Sequence, residues 1–285
     1  MRILLTGATG YLGGWIRAEL AKTHDVISVL RPGRDAAHLG ETAAWDLSGD
    51  LPANLPKVDT IVHAAQSRHY TVFPEGAQDA FAVNCASTAQ LLDFAVRNDV
   101  ERFCFISSGS VYEPYAGSLD EASALAPISL NGTTKLSAET LTRAYDGIMA
   151  VSRLRLFFPY GPGQSGRMVP GLINRVATGE AVTLAGETGL EFSPLFAADI
   201  AKVVTSAVSD SWRGTVNVEG PETIHLRAFV DVIGKLIGKR PVFEVKDEVS
   251  PRIVAPTERL KSRFAVETMT SIRNGLVQTL DPGGQ

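Results

Sequence analysis

The stretch Gly7-Ala8-Thr9-Gly10-Tyr11-Leu12-Gly13 constrains the fold more than any other part of the chain. It follows a short apolar run, Ile3 to Leu5, and leads into a segment whose Ile16 and Leu20 recur on one helical face. A strand, a tight turn and a helix in that order make an anion cradle. Gly7 and Gly10 carry no side chain, so the backbone can turn sharply and approach a pyrophosphate, while Gly13 permits close helix packing. The helix N-terminus adds unpaired N–H groups. Gly7, Thr9, Gly10, Tyr11, Leu12 and Gly13 are therefore expected to hold the phosphates of a dinucleotide.

Further apolar runs that suit buried strands stand at Val26 to Leu30, Thr60 to Val62, Phe103 to Ile106 and Val151 to Leu156, separated by segments of helical periodicity. They lack polar alternation, as strands covered on both faces should. The expected fold is α/β, a doubly wound parallel sheet of the Rossmann kind. After Phe157, a crowd of Pro and Gly between Pro159 and Gly171 reads as too broken for a long regular element and marks the edge of a second region. Thr215 to Val218 could return to the sheet, and a helix from Leu226 to Ile237 should end at Gly238. The expected division is a dinucleotide-binding part over 1–160 with 197–218 returning to it, and a smaller substrate-binding region from 161–196 and 219–285. Asp199 is expected to cap a helix starting at Ile200, and the tail that ends at Gln285 to fray.

With 45% hydrophobic and 20% charged residues, the 285-residue chain can bury a large core. Its net charge of -4 and the lack of a Lys/Arg run argue against nucleic acid as a partner. No apolar run approaches the roughly 20 residues a membrane span needs, and the N-terminus does not read as a signal peptide, so a cytoplasmic location is expected. Cys85 and Cys104 lie apart in apolar stretches, as buried free thiols do, and no metal site is indicated.

About twenty residues beyond the glycine turn, where an acid would bind the ribose hydroxyls of NAD, the second strand runs into Arg31-Pro32-Gly33-Arg34. A guanidinium pairs with a ribose 2′-phosphate that a carboxylate would repel, so Arg31, with Arg34 in support, favours NADP(H) over NAD(H). Asp46 and Leu47, after Trp45, are placed to meet the adenine, although Asp46 suits a turn equally well.

Later motifs resemble those of the extended short-chain dehydrogenase/reductase family, which includes nucleotide-sugar epimerases and dehydratases. His63-Ala64-Ala65 at a strand end and Val83-Asn84-Cys85, expected to open a helix, are similar to family positions that line the cofactor. Phe105-Ile106-Ser107-Ser108-Gly109-Ser110-Val111-Tyr112 resembles the segment supplying the active-site hydroxyl, which the resemblance assigns to Ser108. Gly109 and Ser110, adjoining substrate positions, replace the Asp-Glu pair of sugar-nucleotide 4,6-dehydratases, which argues against water elimination. Arg167, in Arg167-Met168-Val169-Pro170, resembles a substrate-loop arginine. Phe192-Ser193-Pro194-Leu195-Phe196 departs from the arginine-bearing stretch of many epimerases, which leaves open whether the substrate carries a nucleotide. The resemblance also implies a homodimer.

The family's Tyr-x-x-x-Lys motif here reads Asn131-Gly132-Thr133-Thr134-Lys135. On a helix, residues four apart share a face, so Asn131 and Lys135 can still reach one site. A carboxamide has no ionisation near neutral pH and cannot replace the phenol as general acid or base. Tyr112, Tyr115, Tyr160 and His63 fall near the expected site, none at the family spacing from Lys135. Two functions follow. One is an NAD(P)-dependent epimerase or reductase, acting on a sugar-nucleotide-like or other carbonyl or hydroxyl compound, with Ser108, Lys135 and Asn131 in a reassigned proton relay. The other is a catalytically impaired NAD(P)-binding regulatory or redox-sensing protein.

Overall fold

The structure, a computed structural model, describes residues 1–34 and 36–281. The tail residues Pro282 to Gln285, expected to fray, lie outside the described residues. In chain order the elements are β1 (Arg2–Thr6), α1 (Tyr11–Leu20), β2 (Asp25–Leu30), β3 (Thr42–Ala44), β4 (Thr60–His63), α2 (Ala77–Phe81), α3 (Ser87–Arg97), β5 (Arg102–Ser108), α4 (Leu130–Arg143) and β6 (Ala150–Leu156). They continue as β7 (Pro159–Tyr160), α5 (Met168–Thr178), β8 (Val182–Ala185), β9 (Glu191–Phe192), β10 (Leu195–Phe196), α6 (Ala197–Ser209) and β11 (Gly214–Val218). The last are β12 (Ile224–His225), α7 (Leu226–Ile237), β13 (Phe243–Lys246), β14 (Arg252–Ile253), α8 (Glu258–Lys261) and α9 (Ile272–Leu280).

Seven parallel strands form the main sheet in the order β11-β6-β5-β4-β1-β2-β3. This is the doubly wound α/β fold expected from the strand runs, and β11 does rejoin it. β1 lies between β2 and β4, pairing Ile3 with Val26 on one side and with Thr60 on the other. Chain order reverses there, so a crevice opens at the carboxyl ends of β1 and β4. Helices cover both faces. Ile16 and Leu20 of α1 join Ile200, Val203 and Val204 of α6 against one face, while Leu91 and Leu92 of α3 and Ala138 of α4 pack on the other. A third cluster gathers Tyr160, Leu172, Phe192, Phe196, Phe229 and Leu276, which joins α5, α7 and α9 to the short strands beyond the sheet edge.

Three local expectations are corrected. The segment after Phe157 is broken only as far as Arg167, because Met168–Thr178 forms a helix. Pro170 falls in its first turn, where a missing N–H removes no intrahelical bond. Val83-Asn84-Cys85 does not open a helix; it lies in a π-helical turn, Ala82–Ala86, inside continuous helical backbone from α2 to α3. Asp199 is not a cap: α6 begins at Ala197, and the Asp199 carboxylate accepts from Thr270 N at 2.7 Å and pairs with Lys202 at 3.2 Å. Cys85 and Cys104 are buried free thiols, and α7 spans Leu226–Ile237 with Gly238 left-handed at φ 70°. Among the described residues no helix is long and apolar enough to cross a membrane.

Candidate active site

The glycine turn leaves β1 at the crevice. Gly7 takes φ 76°, and a Cβ there would lie 2.7 Å from Ala65 N, so the turn rests on the end of β4. A Cβ on Gly13 would come within 1.9 Å of Gly7 O, which shows how closely α1 seats on the turn. Such a cradle, with backbone in place of side chains and a helix N-terminus above it, fits a pyrophosphate. Gly10, which precedes α1, and Thr9 are exposed, and Tyr11 and Leu12 are half-buried at the start of the helix.

Below the crevice, a polar group fixes the strand ends. Thr6 Oγ1 lies 2.6 Å from His63 Nδ1 and accepts from Ala65 N at 3.2 Å, while Ser87 Oγ lies 3.4 Å from His63 Nε2. Burial, with the Lys135 charge adding to it, pushes His63 down to about 3. The ring is therefore neutral at ordinary pH and cannot carry charge to a ligand. Asn84 is also buried; its Oδ1 accepts from Ser67 N at 2.9 Å and its Nδ2 donates to Thr134 Oγ1 at 3.0 Å. These contacts lock the π-helical turn onto α4.

On the other flank of the crevice, Arg31 and Arg34 are exposed in the turn after β2. Asp46 is exposed after Trp45, and its carboxylate accepts from Ser48 N at 3.2 Å and Ser48 Oγ at 2.9 Å. That is the turn role. These two donors hold its carboxyl below the usual range. Leu47 packs half-buried against the core beside α3.

The expected catalytic group lies at the end of β5. Lys135 is buried, lies 5.0 Å over the Phe105 ring, and donates from Nζ to Ile106 O at 2.8 Å, two residues before Ser108. Burial brings its ammonium down to about 8, against the pull of Cys85 and Glu139. Ser129 caps α4 by accepting from Gly132 N at 3.0 Å. That start presents Asn131 to two partners: Gln66 Nε2 donates to its Oδ1 at 3.1 Å, and its Nδ2 donates to Ser110 Oγ at 3.1 Å. Ser108 Oγ accepts from Ser110 N and donates to Ser110 Oγ, both at 3.1 Å. Gly109 is buried against Phe157.

The other aromatic candidates separate. Tyr112 is buried, hydrogen-bonded to Arg155 Nη1 at 2.6 Å and to Asn217 Oδ1 at 2.9 Å. Tyr160 is fully buried in the third cluster, and burial drives its phenol far up. Tyr115 alone stays near the surface beside Ser110 and Glu113, half-buried. Arg167, exposed at the start of α5, stacks its guanidinium 5.0 Å from the Tyr70 ring, so the two loops that border the crevice meet there.

Sequence reasoning missed Gln66, Glu113 and the buried pair Arg155–Glu139. Arg155 and Glu139 are both wholly buried, with Nη2 2.7 Å from Oε2, and Ser107 donates to Glu139 Oε1 at 2.5 Å. The signal was present: Arg153 and Arg155 alternate with apolar residues on one face of a strand read as simply apolar, and buried arginines require acids.

Residues 3–218 match the model of the NAD dependent epimerase/dehydratase family. The chain belongs to that family. A Bacillus subtilis relative, the uncharacterized UDP-glucose epimerase YtcB, is 26% identical over 98% of this chain and 97% of its own length. The Haloferax volcanii low-salt glycan biosynthesis protein Agl12 is 30% identical over 66% of each chain. Among solved structures, the UDP-glucuronic acid 4-epimerase of Bacillus cereus, in complex with NAD, superposes with a TM-score of 0.85 at 23% identity, over 99% of this family member and 96% of that chain. MoeE5, in complex with UDP-glucuronic acid and NAD, superposes at 0.81 with 26% identity, covering 99% and 98%.

Proposed function

We propose that this epimerase/dehydratase-family protein is an enzyme that oxidises a secondary hydroxyl of a sugar-nucleotide-like substrate with a nicotinamide dinucleotide, using a proton relay without a phenol at position 131. One observation carries this reading: the glycine cradle, Ser108, Lys135 and Asn131 gather at the carboxyl ends of the central strands, and Asn131 is hydrogen-bonded into the serine group. The complexes of relatives with UDP-sugars support the substrate class.

The turn at 7–13 would hold the pyrophosphate, with Ala64, Ala65 and Asn84 shaping the wall beside it. Lys135 spends one N–H on Ile106 and has further donors for ribose hydroxyls. When bound, the dinucleotide supplies the hydride acceptor. Ser108 orients the substrate hydroxyl, and Arg167 meets the anionic end of the substrate. Arg31, exposed just after β2, favours NADP(H) through its charge, although the relatives' complexes contain NAD. The protein is further proposed to work in the cytoplasm as a homodimer; exposed Phe81, Val96 and Leu141 on α2, α3 and α4 support the pairing face.

Calorimetric titration with NADPH and NADH tests the cofactor assignment. Arg31→Ala should weaken NADPH about tenfold or more and leave NADH unchanged, the scale of a charge-assisted hydrogen bond. Binding of neither nucleotide would sink the enzyme reading. A second reading, a redox-sensing binding protein, is favoured by the absence of an ionisable group at 131; it requires tight cofactor binding with no turnover on nucleotide sugars, aldehydes or ketones.

A further inference from the structure

The hydrogen bonds around Ser110 run in one direction. Ser108 Oγ and Asn131 Nδ2 both donate to Ser110 Oγ, each at 3.1 Å. A hydroxyl has two lone pairs and one proton. With both lone pairs taken, the proton of Ser110 is left for a further acceptor, and the Tyr115 phenol stands beside it, close enough for donation from Ser110 to bear on its ionisation. Tyr115 in turn donates to Glu113 Oε1 at 3.4 Å, and Glu113 Oε2 is fixed by Ser129 N–H at 3.2 Å. At the head of the chain, Ser108 Oγ accepts from Ser110 N and keeps one lone pair for an incoming hydroxyl.

The backbone favours this arrangement at a cost. Tyr115 has φ 61°, the left-handed region that a bulky aromatic side chain rarely adopts, and its N–H closes a turn onto Tyr112 O at 2.8 Å. Its ring packs against the cluster of Val111, Leu119 and Phe157. The fold thus holds a phenol at the site from a loop, where α4 has none to offer.

We propose that Tyr115 is the proton-transfer residue of this site, acting through Ser110 and Ser108, with the Glu113 carboxylate as the terminal proton acceptor. This rests on the reading that the protein oxidises a substrate hydroxyl at Ser108. In the forward direction the substrate O–H breaks and its proton passes to Ser108, as protons move from Ser108 to Ser110, from Ser110 to Tyr115 and from Tyr115 to Glu113. Glu113 ends as the neutral acid. The electron pair of the substrate C–H bond leaves as hydride to an oxidised nicotinamide dinucleotide, and the carbinol becomes a carbonyl. Reduction reverses each transfer. Burial pushes the Tyr115 phenol up to about 12, with donation from Ser110 opposing and Glu113 adding to the rise, so it hands on a proton without standing ionised.

Two measurements test this. The first needs neither substrate nor cofactor: protein labelled with ¹³Cζ-tyrosine is titrated by NMR, with Tyr115 assigned through Tyr115→Phe. Glu113→Gln should lower the pH at which Tyr115 ionises, and Ser110→Ala should raise it; no shift in either variant overturns the chain itself. The second compares initial rates on a panel of nucleotide sugars. Tyr115→Phe and Glu113→Gln should each lower kcat about 100-fold or more with KM little changed and the fold intact by circular dichroism. Wild-type kcat in Tyr115→Phe overturns the assignment and leaves the oxidoreductase reading standing. An inert wild type with an active Asn131→Tyr variant overturns the relay, whereas inert protein in both forms overturns the oxidoreductase reading and this step with it.

Discussion

Asn131 is held from both sides, by Gln66 at its carbonyl and by Ser110 at its amide, so it takes part in a side-chain network with the serines. Asn131→Tyr therefore removes a donor to Ser110, and native turnover should fall about tenfold or more; steady-state kinetics on the native substrate check this, and a large gain would instead mark a decayed enzyme. Lys135 behaves differently. Its value is lowered to about 8 in the folded protein from 10.5, so the unfolded chain binds more protons between these limits. Its charge penalises folding below pH 8, and stability returns as pH rises towards 10.5. Lys135→Met should leave the melting temperature unchanged or raise it by a few degrees while weakening cofactor binding, which scanning calorimetry and titration separate.

At the scale of elements, two joints bear most of the arrangement. Gly13→Ala would force a Cβ into Gly7 O, lifting α1 off the turn. The expected loss is about 1–3 kcal/mol of stability, together with dinucleotide binding, measured by denaturant melts and calorimetry. The pair Arg155–Glu139 joins β6 to α4, and Tyr112 and Asn217 extend it to β11. Arg155→Met alone should cost about 3–5 kcal/mol because it strands a buried carboxylate, and Arg155→Met with Glu139→Leu should recover most of that in urea melts. The glycine turn, the central strands and α7 were legible because apolar runs and glycine punctuation are local signals. β3, three residues of Thr-Ala-Ala at a sheet edge, carries too little apolar pattern to be read. The Tyr115–Ser110–Asn131 contacts were illegible for another reason: they join separate segments through a left-handed residue that is not glycine, so no spacing announces them.

Across the whole molecule, buried titratable groups set opposing pH limits. His63 is lowered to about 3 from 6.5, so the stability of its neutral form is full above pH 6.5 and is lost as pH falls towards 3. Glu219, buried just after β11 with Ala255 N donating to it at 2.7 Å, is raised by burial from 4.5 to about 7. Its contribution is full below pH 4.5 and is lost as pH rises through 7. Glu219→Gln should therefore raise the melting temperature by several degrees at pH 8 and by much less at pH 4, a gain on the order of 2–3 kcal/mol; equal effects at both would refute the assignment.

The placement of α9 has a consequence for how the chain is made. Leu276 lies in the same apolar cluster as Tyr160 and Phe196, and Ile272 N donates to Glu222 at 2.5 Å. A ribosome delivers β1 through β11 first, and these can pair as they emerge, but the cluster beyond the sheet edge stays open until residues 272–280 arrive. For that interval the nascent protein offers a finished glycine turn beside an unsealed apolar surface, and it is there that a chaperone would have reason to wait.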